Sequence, residues 1–207
     1  MIDSQLRPNR VSHGPVIDAM QDMPRELFVP RDMRGVAYAE VAIEVVPGRF
    51  LLTPMVLARM IAAANIDPDD VVLQIGCATG YATAVLARMV MTVIAIEENE
   101  TLVKEAIEHL TNVEADNAVV VEGVMTKGQV DQGPYDLIFI NGGIGHLPDE
   151  LTAQLAEGGR LVAVEMTGPT GKAVIYTKQA DKLGRVELFD AAPAILPGFE
   201  AIPEFAL

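Results

Sequence analysis

A doubly wound α/β domain on a mostly parallel sheet is the fold this chain predicts, and three observations carry the prediction. From Asp67 onward, short β-branched runs alternate with helical segments. The runs are apolar at consecutive positions, as in strands covered on both faces. One strand-to-helix junction is a glycine turn, Gly76-Cys77-Ala78-Thr79-Gly80. With 207 residues, 50% of them apolar and 21% charged, the chain is long enough to bury one core, which excludes disorder, collagen and coiled coil.

The elements follow in order. Residues 15–23 place apolar side chains at helical spacing until Pro24 stops them, and Pro54 opens a second apolar helix running to Asn65. Between them, Tyr38 to Phe50 reads as loop and short strand. Val71–Ile75 is the first buried strand, followed by the glycine turn and a helix over Tyr81–Val90. Thr92–Ile96 is the next strand, Glu100–Leu110 an acidic helix, Val119–Val121 a third strand and Tyr135–Ile140 a fourth. After a helix near Asp149–Leu155, the runs 158–164 and 172–177 flank a Gly-Pro-Thr-Gly turn, which predicts an antiparallel hairpin at one edge of the sheet. No repeat or low-complexity linker divides the chain. It therefore reads as one domain: residues 1–66 an N-terminal helical extension and covering segment, 67–180 a ligand-binding core, 181–207 a tail.

Fifteen Lys and Arg against 29 Asp and Glu give a net charge of −14, and the basic residues are gathered nowhere. Nucleic acid and anionic membrane are therefore poor partners, because both need a cationic patch. The opening residues carry charge and proline where a signal peptide needs an apolar run, and Arg59 and Arg88 interrupt the two most apolar stretches. A lone cysteine, Cys77, permits no internal disulfide and no cysteine-based metal cluster, and His13, His109 and His146 lack the short spacing of a metal site. The expectation is a cytoplasmic protein without a sequence-local metal centre.

In an open α/β sheet the ligand lies beyond the carboxyl ends of the strands, at the first strand-to-helix turn. Gly76 and Gly80 allow the backbone to bend sharply there and leave room for a ligand in front of helix N–H groups. Glu97, ending the second strand, follows Gly76 by 97 − 76 = 21 positions. That is the place for a carboxylate that accepts hydrogen bonds from both hydroxyls of a ribose. Dinucleotide sites use G-x-G-x-x-G, whereas this loop is G-x-A-x-G and no P-loop is present. The pattern predicts a Rossmann-like fold of the S-adenosylmethionine-dependent methyltransferase type, with S-adenosyl-L-methionine as cofactor.

Several landmarks in order extend that reading. Met20, Pro24-Arg25-Glu26, Phe28-Val29-Pro30, Ala37-Tyr38, Pro54, Ile75-Gly76-Cys77-Ala78-Thr79-Gly80-Tyr81, Pro134-Tyr135-Asp136, Pro148 and Gln154-Leu155-Ala156-Glu157-Gly158-Gly159-Arg160-Leu161 together resemble the protein-L-isoaspartate O-methyltransferase family. The resemblance runs from about Val16 to about Thr177. It implies methyl transfer from S-adenosylmethionine to an isoaspartyl carboxylate, the start of protein repair, with a protein or peptide as substrate. It also implies Gly76, Cys77, Ala78, Gly80, Tyr81, Glu97, Glu98, Gly123, Asn141, Leu51 and Leu52 around the cofactor.

Four positions depart from the family pattern. Leu52 stands where the family has a serine beside the reacting groups, which leaves Thr53 as the candidate catalytic hydroxyl, although adjacent side chains of an extended segment point opposite ways. Gln74 replaces an acid at the end of the first strand, Ala78 replaces the middle glycine, and Val124 replaces an aspartate that meets the adenine. These departures leave two alternatives open: a catalytically decayed relative working as a ligand-binding or regulatory protein, and a methyltransferase with another acceptor. Cys77 is either a reactive thiol at a helix start or a small space-filling residue. His146, in Asn141-Gly-Gly-Ile-Gly-His146, either touches substrate or is a solvated loop residue, and a solvated face is the default for His109. The apolar, proline-rich end from Pro193 either wraps the core or presents a partner surface.

Overall fold

The computed structural model describes residues 1–9, 11, 14–180 and 182–202. His13 lies outside them. A π-turn over Ile2–Leu6 leads to helix α1 (Pro15–Asp22), two 3-10 turns, a small antiparallel ribbon of β1 (Ile43–Val46) and β2 (Arg49–Leu51), and helix α2 (Pro54–Ala63). Then come β3 (Val71–Ile75), α3 (Tyr81–Ala87), β4 (Thr92–Glu97), α4 (Glu100–Asn112), β5 (Ala118–Glu122), β6 (Tyr135–Ile144), α5 (Asp149–Ala153), β7 (Leu155–Met166), β8 (Gly171–Gln179) and β9 (Lys182–Ala191).

Seven strands form one sheet in the order β5-β4-β3-β6-β7-β8-β9. The pairs β3–β4, β4–β5, β3–β6 and β6–β7 are parallel, and β7–β8 and β8–β9 antiparallel. Strand order reverses on either side of β3, so the crevice for a ligand opens beyond the ends of β3, β4 and β6. The alternation of side chains follows: Leu73 and Ile75 face one apolar cluster with Ile94, Ile96 and Ile138, while Val72 faces the other with Val93, Leu137 and Phe139.

The N-terminal extension packs into the core itself. Met20 of α1 and Leu57 and Met60 of α2 are buried in the same cluster as Val85 of α3 and Phe139 of β6. Pro54 occupies the first turn of α2, where a missing N–H costs nothing, and the Asn99 side chain caps α4 by accepting from the N–H groups of Thr101 (3.0 Å) and Leu102 (3.2 Å). Arg160 of β7 ties the end of α2 to the sheet: it donates to Ala64 O (3.0 Å) and Asn65 O (3.2 Å) and pairs with Asp70 (2.5 Å).

Three features differ from the sequence reading. The segment 182–191, assigned to the tail, is strand β9, so the β7–β8 hairpin does not form the edge. Its side chains alternate poorly and are mostly exposed, which hid it from an apolar-run criterion. β6 runs on through Asn141-Gly-Gly-Ile144, placing residues read as a loop inside the sheet. Finally, the helix expected near Asp149–Leu155 is short, and Leu155 already belongs to β7. No helix among the described residues is long and apolar enough to cross a membrane.

Arg160→Ala removes an ion pair that is largely buried together with two backbone ties, and it should lower unfolding free energy by about 2–4 kcal/mol in urea titrations.

Candidate active site

The centre of the crevice is Glu97, fully buried at the end of β4. Its carboxylate is saturated with hydrogen bonds. Oε1 accepts from Arg49 Nη1 (2.5 Å) and from the N–H groups of Glu98 (3.1 Å) and Asn99 (3.2 Å). Oε2 accepts from Arg49 Nη2 (2.7 Å) and from Ala78 N–H (3.0 Å). Arg49, on β2, is only 5% exposed, so this is a buried bidentate pair in which each charge satisfies the other.

The glycine loop wraps this pair. Gly76 and Gly80 have positive φ of 74° and 94°, and Ala78 is held in the left-handed region at 52°, a conformation that its bond to Glu97 helps to fix. At Gly80 it is the left-handed backbone that calls for glycine, since a Cβ there would make only ordinary contact with Ala106 of α4 at 3.4 Å. Asn141, 2% exposed, donates through Nδ2 to Gly76 O (3.0 Å) and so joins the end of β6 to the end of β3. Its Oδ1 is buried without a partner.

On the Arg49 side of this pair lies a mainly apolar cavity of about 200 Å³, walled by residues 48–53, Asn141, Gly142 and residues 192–196. Leu51, Leu52 and Thr53 all line it. Leu52 and Thr53 do not diverge as an ideal strand would require, because the chain leaves β2 at Leu51 and Thr53 is already the residue preceding α2. The Thr53 hydroxyl is buried and unpartnered. Arg25, fully buried, fixes this segment by donating to Leu52 O (2.7 Å) and Ala37 O (2.8 Å), with its guanidinium 4.7 Å from the centre of the Tyr81 ring. Burial pulls the Arg25 pKa below the ordinary arginine value and pushes the Tyr81 phenol up.

The structure thus brings Gly76, Ala78, Glu97 and Asn141 into one hydrogen-bonded group, with Leu51, Leu52 and Thr53 across the cavity. Tyr81 points into the core against Arg25 and Phe28. Glu98 is exposed and offers Glu97 only its backbone N–H. Partial desolvation and the neighbouring Glu97 charge raise the pKa of the Glu98 carboxyl above the usual glutamate value. Gly123 lies behind the strand end, its N–H bonded to Glu97 O (3.0 Å), and Val124 is exposed. Cys77 is fully buried against Ala95 and Ala106, and burial pushes its thiol far above the usual range, the space-filling alternative of the two. His109 is half-buried: it contacts Thr79 O (2.9 Å) and packs edge-on against Phe28. His146 Nδ1 contacts Glu200 O (2.7 Å). Among the described residues no group of three or more His, Cys, Asp or Glu could hold a metal ion.

Sequence reasoning missed Arg49 and Leu196. The Leu196 side chain occupies the cradle of two glycines: a Cβ on Gly142 would fall 2.6 Å from Leu196 Cγ, and one on Gly76 would fall 3.1 Å from Leu196 Cδ1. As folded, therefore, the Glu97 carboxylate is engaged by Arg49 and the glycine cradle by Leu196, and both have to give way for an adenosine cofactor to enter.

Strand order, the glycine turn and an acid ending the neighbouring strand define a Rossmann-like domain of the methyltransferase type. A family model described as protein-L-isoaspartate(D-aspartate) O-methyltransferase (PCMT) matches residues 1–189, and the chain belongs to that family. A protein-L-isoaspartate O-methyltransferase of Koribacter versatilis is 37% identical over 191 residues, covering 92% of this chain and 86% of the relative. One from Roseiflexus castenholzii is 40% identical over 162 residues, 78% of this chain and 74% of the relative. Among solved structures, a protein-L-isoaspartate O-methyltransferase superposes with TM-score 0.83 at 21% identity, over 97% of this chain and 67% of the other. A Plasmodium falciparum structure of the same description, in complex with S-adenosyl-L-homocysteine, gives 0.79 at 21% identity, over 92% and 93%. At that identity the superpositions establish the fold.

Two outcomes test the geometry. Arg49→Met leaves a buried carboxylate uncompensated and should lower stability by about 3–5 kcal/mol, whereas adding Glu97→Gln should restore most of it, as measured by urea unfolding. Cys77 should resist iodoacetamide at about pH 8 in the native protein and react fully once the chain is denatured.

Proposed function

We propose that this chain is an S-adenosylmethionine-dependent O-methyltransferase whose acceptor is an isoaspartyl carboxylate of a protein or peptide, an activity that begins repair of damaged chains. Membership of the family over residues 1–189 is the observation that carries the reading. Glu97 beside the glycine turn supports it from the side of the site, and nothing in the relatives favours a catalytically decayed protein. When bound, the cofactor supplies an already activated methyl group. The chain then has little acid–base work to do, because a carboxylate acceptor is ionised at pH 7. Its task is alignment and exclusion of water. In this reading Glu97 takes the ribose, Gly76 to Gly80 and Asn141 flank the methionine end, and Leu51 to Thr53, held by Arg25 through the Leu52 carbonyl, form the acceptor side.

Among the described residues that line the cavity, Thr53 is the one hydroxyl with its oxygen buried and free, so it is the candidate to orient the acceptor. The net charge of −14 argues against a nucleic-acid acceptor. A single cysteine, which permits no internal disulfide, supports a cytoplasmic setting.

The test is transfer of labelled methyl from S-adenosylmethionine to an isoaspartyl peptide, with the ordinary aspartyl peptide as control. Label should enter only the isoaspartyl peptide as a base-labile ester, and Glu97→Ala should abolish it. Leu52→Ser, which adds a hydroxyl facing the cavity, should raise the rate by about tenfold, the worth of one well-placed hydrogen bond. Absence of transfer by protein that binds S-adenosylhomocysteine would move the acceptor to another class.

A further inference from the structure

The segment Pro193–Glu200 lies past the part of the chain matched by the family model, and it is docked into the mouth of the site. Gly143 N–H donates to Ala194 O (2.8 Å), Leu196 N–H to Gly143 O (2.9 Å) and Gly145 N–H to Phe199 O (2.6 Å). One parallel bridge, Gly143 to Ile195, extends the sheet by a single residue pair. Two side chains anchor the strap: Phe199 is fully buried, and Leu196, 5% exposed, fills the space that the glycines at Gly76 and Gly142 leave at the carboxyl ends of β3 and β6. That is the position at which open α/β sheets receive their ligands.

Arg49 completes the closure. Its two Nη atoms take both oxygens of Glu97, so a ribose diol can reach the carboxylate only by replacing the guanidinium. The third donor of Arg49, Nε, is buried with no partner, and Asn141 Oδ1 and Thr53 Oγ1 on the same cavity are unpartnered too. Three unsatisfied polar atoms around one cavity mark an arrangement that has a better-satisfied alternative when a polar ligand enters.

We propose that the strap Pro193–Glu200 and Arg49 together form an intramolecular plug that holds the cofactor site closed and is displaced when S-adenosylmethionine binds. The proposal rests on the methyltransferase reading above. Apparent cofactor affinity is then the intrinsic affinity reduced by the fraction of molecules in the open state. The strap is suited to reversible release, since its hold consists of a few backbone bonds, the His146 ring contact to Glu200 O and two apolar anchors.

The experiment titrates S-adenosylhomocysteine calorimetrically into the unsubstituted 207-residue chain and into Leu196→Ala and Arg49→Gln, each first shown to melt cooperatively. Both variants should bind about tenfold or more tightly than the native chain. In the native chain, which needs no substitution, saturating S-adenosylhomocysteine should speed hydrogen exchange at the amides of Gly143, Gly145 and Leu196 while β3 and β4 amides stay protected. Equal or weaker binding by the variants, with those three amides still protected at saturation, overturns the plug and leaves the cofactor reading standing. No binding by the native chain or by either folded variant overturns the cofactor reading and the plug with it.

Discussion

A carboxylate taken wholly out of water has to be matched by charge and hydrogen bonds, and the arrangement around Glu97 follows from that requirement. The end of β4 places the acid below the surface, where backbone N–H groups of Ala78, Glu98 and Asn99 meet it. Their partial charges are not a counter-ion, so Arg49 of β2 fills that role. Because Arg49 is contributed by the N-terminal ribbon, the same ion pair fixes β1 and β2 against the carboxyl edge of the sheet and brings Leu51 to Thr53 up to the cavity. One electrostatic demand therefore sets the loop, the ribbon and the wall of the site.

Arg25 plays a second, quieter part on the same segment. It is a fully buried cation whose bonded partners are the backbone carbonyls of Ala37 and Leu52, with an aromatic face beside it. Two stretches of irregular chain gain a rigid brace in this way, and irregular chain is what the acceptor side of the site is made of.

The parallel core was legible because strands such as Val71–Ile75 and Thr92–Ile96 are covered on both faces and so read as apolar runs. Glu97 was legible because its distance from the glycine turn is set by one helix and one strand, a local quantity. Arg49 was not, since its partner is 48 residues away and only the tertiary fold brings the two together. Strand β9 was missed because an edge strand with one neighbour and mostly exposed side chains needs no apolar run, and Asn141–Ile144 was read as loop because glycine suppresses the strand signal although the sheet tolerates it there. For the proline-rich end, composition left two alternatives, and the buried anchors Leu196 and Phe199 answer for wrapping the core.

An open sheet has two unpaired borders, and β9 is one of them. Arg185 on that border is bonded to Glu165 and Glu187, and Lys172 of β8 pairs with Asp190, so the strip most exposed to another chain is laced with fixed charges of both signs. Any strand approaching to continue the sheet would have to strip water from those groups without offering them new partners. Charged edge strands of this kind are one of the devices by which sheet proteins discourage edge-to-edge pairing.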